Sequence, residues 1–293
     1  RHTRLRTVTG VQTCALPIYP RGPSSFRLAP MSVLNSRVSY DPPRGRPLGT
    51  NPAFRFGAGV LRPLLNLIVK KDWRGGEKLP QSGAAIVVCN HLSYLDPLTF
   101  THFLYNNGRA PRYLGKESVF RVPIVGYIIK AAGQIPVHRE SKDAVKGLEH
   151  AIAVLKAGHL LGVYPEGTLT RDENLWPMKA KTGVARLALQ TGVAIYPCAS
   201  WGPERVIPPY GKKIKLFPRT KVSIVVGDPV DLSPWRGRAE DPVAVEAASE
   251  KIMDEITHLL EGLRGERAPA QRFDPKKSNL PRTGNFRKAR RES

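Results

Sequence analysis

Residues 84–89 read Ala-Ala-Ile-Val-Val-Cys, six apolar residues without a polar break, and no other stretch constrains the fold as much. A strand with one face in water alternates apolar and polar residues, whereas a strand apolar throughout needs cover on both faces. Runs at 160–164, 194–199 and 222–226 share this texture, and stretches with helical spacing lie between the runs at 97–105, 142–157 and 182–190. A last helix is signalled by Asp241 as N-cap with Pro242 at its first position, running to about residue 263. Strands alternating with helices predict an α/β fold: a mixed sheet flanked by helices.

Upstream, Val60, Leu61, Leu64, Leu65, Leu67 and Ile68 recur at helical spacing and run into Lys70, Lys71 and Trp73. This predicts an N-terminal amphipathic helix, suited to a bilayer interface or to packing on the core. No window offers the ~18 uninterrupted apolar residues of a spanning helix, so the expected protein is soluble or peripheral, with no transmembrane helix. The formal charge is +22, of which residues 1–30 contribute +5 and the chain from Arg264 onward +7, leaving +10 for residues 31–263. A body of that charge suits an anionic partner, either a membrane surface or nucleic acid. Zinc-finger spacing and RNA-recognition aromatics are both missing, so nucleic acid is not the expected partner, and a basic nucleic-acid-binding protein is the alternative from another class. Cys14, Cys89 and Cys198 have no metal-ligand spacing; buried free thiols, a reducing cytoplasmic setting and no metal site are expected.

The chain divides by composition. Residues 8–18 read like the translation of a sequencing-library adapter, so residues 1–30 are expected to be an artefactual leader with Met31 as the natural start. Residues 31–52 form an irregular lead-in, residues 53–263 the folded domain, and residues 264–293 a basic disordered tail.

Directly after the first apolar run stands Asn90-His91-Leu92-Ser93-Tyr94-Leu95-Asp96-Pro97. Asp96-Pro97 reads as an N-cap and the first helical residue, which puts His91 in the preceding loop. Five residues along one helix would point the two side chains about 140° apart, so pairing needs the loop to fold His91 back. A histidine held by a carboxylate is half of a general-base device, because the carboxylate fixes the tautomer and the other ring nitrogen takes a proton. No serine sits in a Gly-x-Ser-x-Gly turn, so the proton is expected to come from a substrate hydroxyl. The plainer alternative is that Asp96 only caps a helix. Tyr164-Pro165-Glu166-Gly167-Thr168 sets a carboxylate on a turn at a strand end, where α/β proteins place ligand contacts. Residues 133–139 end a short extended stretch with Arg139, a side chain suited to phosphate, and residues 193–197 lead an apolar strand to a proline.

Together and in this order, the four segments resemble the glycerolipid acyltransferase family, which includes 1-acylglycerol-3-phosphate acyltransferases; the likeness covers about residues 60–262. The resemblance implies a glycerolipid-acyltransferase-like fold and makes residues 53–263 the acyltransferase domain. It implies transfer of an acyl group from acyl-CoA or acyl-carrier protein, as co-substrate, to the hydroxyl of 1-acylglycerol-3-phosphate, giving phosphatidic acid. No cofactor or metal is implied. His91 would be the general base and Asp96 its partner, while Arg139, Glu166, Gly167 and Thr168 would shape the acceptor's phosphate pocket. A glutamate beside phosphate repels it, so Glu166 is expected to orient basic or backbone donors instead. The family's turn continues with Arg-Ser, whereas Leu169 and Thr170 follow here; Arg171 or Lys181 is expected to substitute, and another lysolipid or lipid alcohol is an open alternative acceptor. Lys116 and residues 119–129 match the part of the family near the acyl site, where the apolar residues line an acyl tunnel, touch lipid, or form a core helix bent at Pro123. The implied location is peripheral, on the cytoplasmic face of an anionic membrane, with a catalytically silent lipid-binding relative as a further alternative.

Overall fold

The computed structural model describes residues 47–137, 143–211 and 213–278. The expected leader 1–30, nearly all of the lead-in 31–52, Arg139 and residues 279–293 lie outside them. Helix α1 (Pro52–Ile68) leads into strand β1 (Val69–Arg74), followed by β2 (Ala85–Cys89), α2 (Asp96–Asn106), β3 (Pro111–Lys116), α3 (Glu117–Phe120), α4 (Val125–Ala131) and β4 (Ile135–Val137). Then come α5 (Asp143–Lys156), β5 (Leu160–Val163), α6 (Gly183–Thr191), β6 (Ile195–Trp201), α7 (Pro203–Val206), β7 (Thr220–Val226) and α8 (Pro242–Arg264). The strands form one mixed sheet in the order β1-β7-β6-β2-β5-β3-β4, antiparallel only between β6 and β7.

The apolar runs become the centre of this sheet for the reason that made them conspicuous. Ile86 and Val88 of β2 face one way and join Leu161, Ile195 and the buried sides of α5, α6 and α8, including Leu155, Leu187 and Ile252. Ala85, Val87 and Cys89 face the other way, against Phe100, Phe103 and Leu104 of α2 and against Val222 and Ile224 of β7. Each residue of β2 therefore has a helical layer to bury against, and side chains of this size gain about 1.5–3 kcal/mol apiece from burial. Cys89 and Cys198 are free and buried, and burial pushes both thiols up.

Three local expectations are corrected. Asn51 caps α1 by accepting from Phe54 N at 2.8 Å, but the helix stops at Ile68, and Lys70, Lys71 and Trp73, expected at the helix boundary, form a strand, β1, of their own. Parallel pairing with the distant β7 extends this segment, and a pairing so remote leaves no mark on local periodicity. The stretch 119–129 is two short helices, α3 and α4, separated by a break in which Ile124 adopts φ 63°, and not one helix bent at Pro123. Finally, the chain beyond α8 is tied down at least as far as Phe273. Gly265 ends the helix at φ 69°; the Arg264 guanidinium then lies 3.8 Å from the Trp176 ring centre and 4.6 Å from that of Trp201. Arg272 pairs with Glu250 and Asp254 of α8, and Lys179 N donates to Phe273 O at 2.9 Å. Acids spaced along α8 give this basic segment its partners, which composition alone does not display. No described helix is long and apolar enough to cross a membrane.

Candidate active site

After Cys89 the chain leaves the sheet through an irregular loop that is cross-linked at every step. Asn90 exchanges two bonds with β6: its Nδ2 donates to Ser200 O at 2.9 Å and its Oδ1 accepts from Ser200 N at 2.8 Å. Ser93 Oγ donates to Ile207 O at 2.7 Å and accepts from Leu95 N at 3.0 Å. The bend this enforces brings the His91 ring back onto Asp96, with Nδ1 3.0 Å from Oδ2.

Asp96 is the first residue of α2, one place later than an N-cap, and its carboxylate does not cap the helix. Oδ2 turns back to accept from Leu92 N at 2.6 Å and Ser93 N at 2.7 Å besides the imidazole. Two backbone donors already occupy this oxygen, so the network assigns the ring proton to Nδ1 and leaves Nε2 with its lone pair. Asp96 is 1% exposed and the His91 side chain 16%, so the pair is sheltered while the ring keeps an open edge. The far side of the ring stacks on Tyr164, with centroids 4.2 Å apart, and Tyr164 stacks in turn on Tyr113. Gly162 makes room for this: a Cβ there would stand 2.3 Å from Tyr113 Cε1.

The second motif supports the first from below. Glu166 is buried, and its two oxygens accept from His91 N at 3.0 Å and Met178 N at 3.1 Å. It therefore spans the His91 loop and the 170–179 segment, using both oxygens on backbone donors. Thr170 makes a second bridge, donating from N to His91 O at 2.8 Å and from Oγ1 to Trp176 O at 2.7 Å. Gly167, at φ 73°, packs under Lys181, whose Cε would be 3.0 Å from an added Cβ. The exposed Lys181 thus lies over the same turn as the half-buried Thr168.

Of the residues expected at the site, His91, Asp96, Glu166, Gly167, Thr168 and Lys181 come together. Arg171 is buried at 2% exposure instead of standing open at the turn, and Leu169, which follows Thr168, packs inward on Tyr210. Lys116 ends β3. Asn90, Ser93, Tyr164 and Thr170 carry the site's geometry without having been singled out, because nothing in an ordinary polar residue announces its partner. Glu204 is a further buried carboxyl near Asp96, bonded to Gly202 N at 2.7 Å and raised by burial to about 7.

Burial pushes the Glu166 carboxyl up to about 8, although its two N–H donors pull the other way. A raised folded value means that its contribution to stability is full below about pH 4.5 and is lost as pH rises through about 8. Glu166→Gln turns an amide NH2 toward one of the two backbone donors, leaving that donor unpaired at a cost of about 1–3 kcal/mol. The expected result is a lower urea midpoint at pH 6 together with a flatter decline in stability between pH 5 and 8. An unchanged pH profile would show that Glu166 does not titrate in this window.

Comparison with known proteins follows the same geography. Residues 71–201, which hold both motifs, match the family model described as Acyltransferase. Over 141 residues the chain is 31% identical to a chloroplastic 1-acyl-sn-glycerol-3-phosphate acyltransferase of Brassica napus, covering 47% of this chain and 39% of that protein. It is 26% identical to the 1-acyl-sn-glycerol-3-phosphate acyltransferase of Bacillus subtilis, covering 60% of this chain and 82% of that one. The chain thus spans about two-fifths of the plant relative's length. The crystal structure of the 1-acyl-sn-glycerophosphate acyltransferase from Thermotoga maritima superposes with a TM-score of 0.53 at 23% identity, covering 74% of this chain and 80% of that one, and shares its fold. The His91 loop and the Glu166 turn thus both lie in the stretch, residues 71–201, that is similar to the acyltransferase family.

Proposed function

We propose that the protein transfers a fatty acyl group from a thioester, acyl-CoA or acyl-carrier protein, to the free hydroxyl of a lysophospholipid, with 1-acylglycerol-3-phosphate as first choice and phosphatidic acid as product. The observation that carries this reading is the contact of His91 Nδ1 with Asp96 Oδ2 at 3.0 Å, which points the basic Nε2 outward from a buried carboxylate. Nε2 takes the proton of the acceptor hydroxyl as its oxygen attacks the thioester carbonyl. The tetrahedral oxyanion then collapses, the C–S bond breaks, and the imidazolium returns the proton to the departing thiolate. Asp96 stabilises the imidazolium between the two steps. A thioester is already activated, so a positioned base suffices and no metal or redox group enters the reaction. The similarity to the 1-acyl-sn-glycerol-3-phosphate acyltransferases of Brassica napus and Bacillus subtilis supports this substrate class.

Among the described residues, Lys181, exposed over the Gly167 turn, is the cation best placed to meet an acceptor phosphate. We place the reaction at the surface of an anionic membrane, where α1 presents exposed Phe56, Val60, Leu64 and Leu67. The test is thiol release from oleoyl-CoA and from oleoyl-acyl-carrier protein, with lysophosphatidic acid and a panel of other lysolipids as acceptors. Release stimulated by lysophosphatidic acid supports the reading, and stimulation by another lysolipid alone reassigns the acceptor. No acceptor-dependent release from either donor rejects the reading in favour of a silent lipid-binding relative.

A further inference from the structure

Residues 213–219 form an exposed ribbon in which apolar and cationic side chains are interleaved. Ile214, Leu216 and Phe217 are 61%, 44% and 70% exposed, and Lys213, Lys215 and Arg219 stand among them. The ribbon is held at both ends. Lys215 N donates to Val206 O at 2.9 Å at the end of α7, and Arg219 Nη2 donates to Val69 O at 2.8 Å where α1 passes into β1. Val206 shares a small core with Leu65 of α1 and with Leu95 of the active-site loop. The ribbon therefore borders the C-terminal end of α1, where Leu64 and Leu67 are 54% and 61% exposed, and the elements that hold His91.

The same junction carries excess positive charge. Burial, then the charges of Arg62 and Arg219, hold the Lys71 ammonium below its usual range, so both arginines lie near it. Asp72, the acid of β1, is taken up by Arg74, Lys221 and Ser223.

We propose that residues 213–219, together with the end of α1, form a docking surface for an anionic lipid bilayer, seated with Leu216 and Phe217 among the acyl chains and the flanking lysines and arginine at the phosphates. This rests on the reading that the protein acts on lipid, and it adds a second point of attachment, remote in sequence from the helix. Exposed Leu and Phe side chains between cations suit a bilayer, which offers hydrocarbon beneath its phosphates. A nucleic-acid duplex offers no such layer at its backbone, and a second copy of this chain would bring like charge against like.

The test is co-sedimentation of the whole chain with vesicles of phosphatidylcholine, with and without phosphatidylglycerol. The wild type should bind the anionic vesicles more tightly and release them as salt rises. Lys213→Gln with Lys215→Gln should weaken anionic binding by about fivefold per charge. Leu216→Ser with Phe217→Ser should weaken it roughly tenfold, while melting and turnover on detergent-dispersed lysolipid stay at the wild-type level. Leu216→Ile with Phe217→Trp should restore binding, and Val243→Ser, at a 75% exposed position opening α8, should leave it unchanged. Wild-type binding by the double serine variant, equal loss in the Val243→Ser control, or preference for duplex DNA over vesicles overturns the proposal. Failure of the wild type to release thiol rejects the enzymatic reading instead and leaves the vesicle result to be judged alone.

Discussion

His91→Ala is expected to reduce acyl transfer by about 10²- to 10⁴-fold, the usual contribution of a positioned general base, in a protein that still folds. Folding survives because the bonds anchoring this residue belong to its backbone: His91 N to Glu166 and His91 O from Thr170 remain in the alanine variant. What goes is the ring, with its contact to Asp96 and its stack on Tyr164, the latter worth about 0.5–1.5 kcal/mol. Thiol release with saturating acceptor measures the first effect and a urea melt the second. A folded variant retaining more than a tenth of wild-type turnover would remove His91 from the mechanism.

Asp96 is predicted to matter twice over, and two substitutions separate its roles. In Asp96→Ala, Leu92 N and Ser93 N lose their acceptor in a site that stays buried, at about 1–3 kcal/mol each, and the His91 loop loses its bend. Stability and turnover should fall together. In Asp96→Asn the amide oxygen can keep the place of Oδ2 and both backbone bonds, while the negative charge that steadies the imidazolium is gone. The loss of stability should then be the smaller of the two, with turnover still down by on the order of 10³- to 10⁴-fold, as when a catalytic triad's aspartate is neutralised. Equal urea midpoints for the two variants would mean that Oδ2 does not hold the loop, and an active Asn variant would mean that the charge is dispensable.

Much of this was readable in the chain, and what was not has a physical explanation. β2, β5, β6 and β7 announced themselves because central strands must be apolar on both faces. Helix α8 did so because Asp241 and Pro242 mark its start locally, with Asp241 Oδ1 accepting from Val243 N at 2.9 Å. β1 and β3, toward the sheet's two margins, mix lysine, arginine, aspartate and glycine with their apolar residues, and only pairing with remote strands makes them extended. At the site, the spacing of His91 and Asp96 showed that a loop had to bend. It could not show that Asn90 and Ser93 hold that bend from β6 and from Ile207, since those partners lie more than a hundred residues away.

The seating of residues 264–273 has a consequence for the timing of assembly. His91 and Asp96 are synthesised early and Glu166 well after them, yet part of what secures the 170–179 segment from its outer side, the Arg264 guanidinium over Trp176 and the Phe273 carbonyl on Lys179 N, comes much later in the chain. A nascent chain halted before Arg272 already holds His91 and Asp96, but Lys179 N still lacks the Phe273 carbonyl, and Glu250 and Asp254 lack their arginine. Under the proposed chemistry, such a chain has its reactive side chains in place without part of the frame that aims them, and residues 264–273 complete that frame.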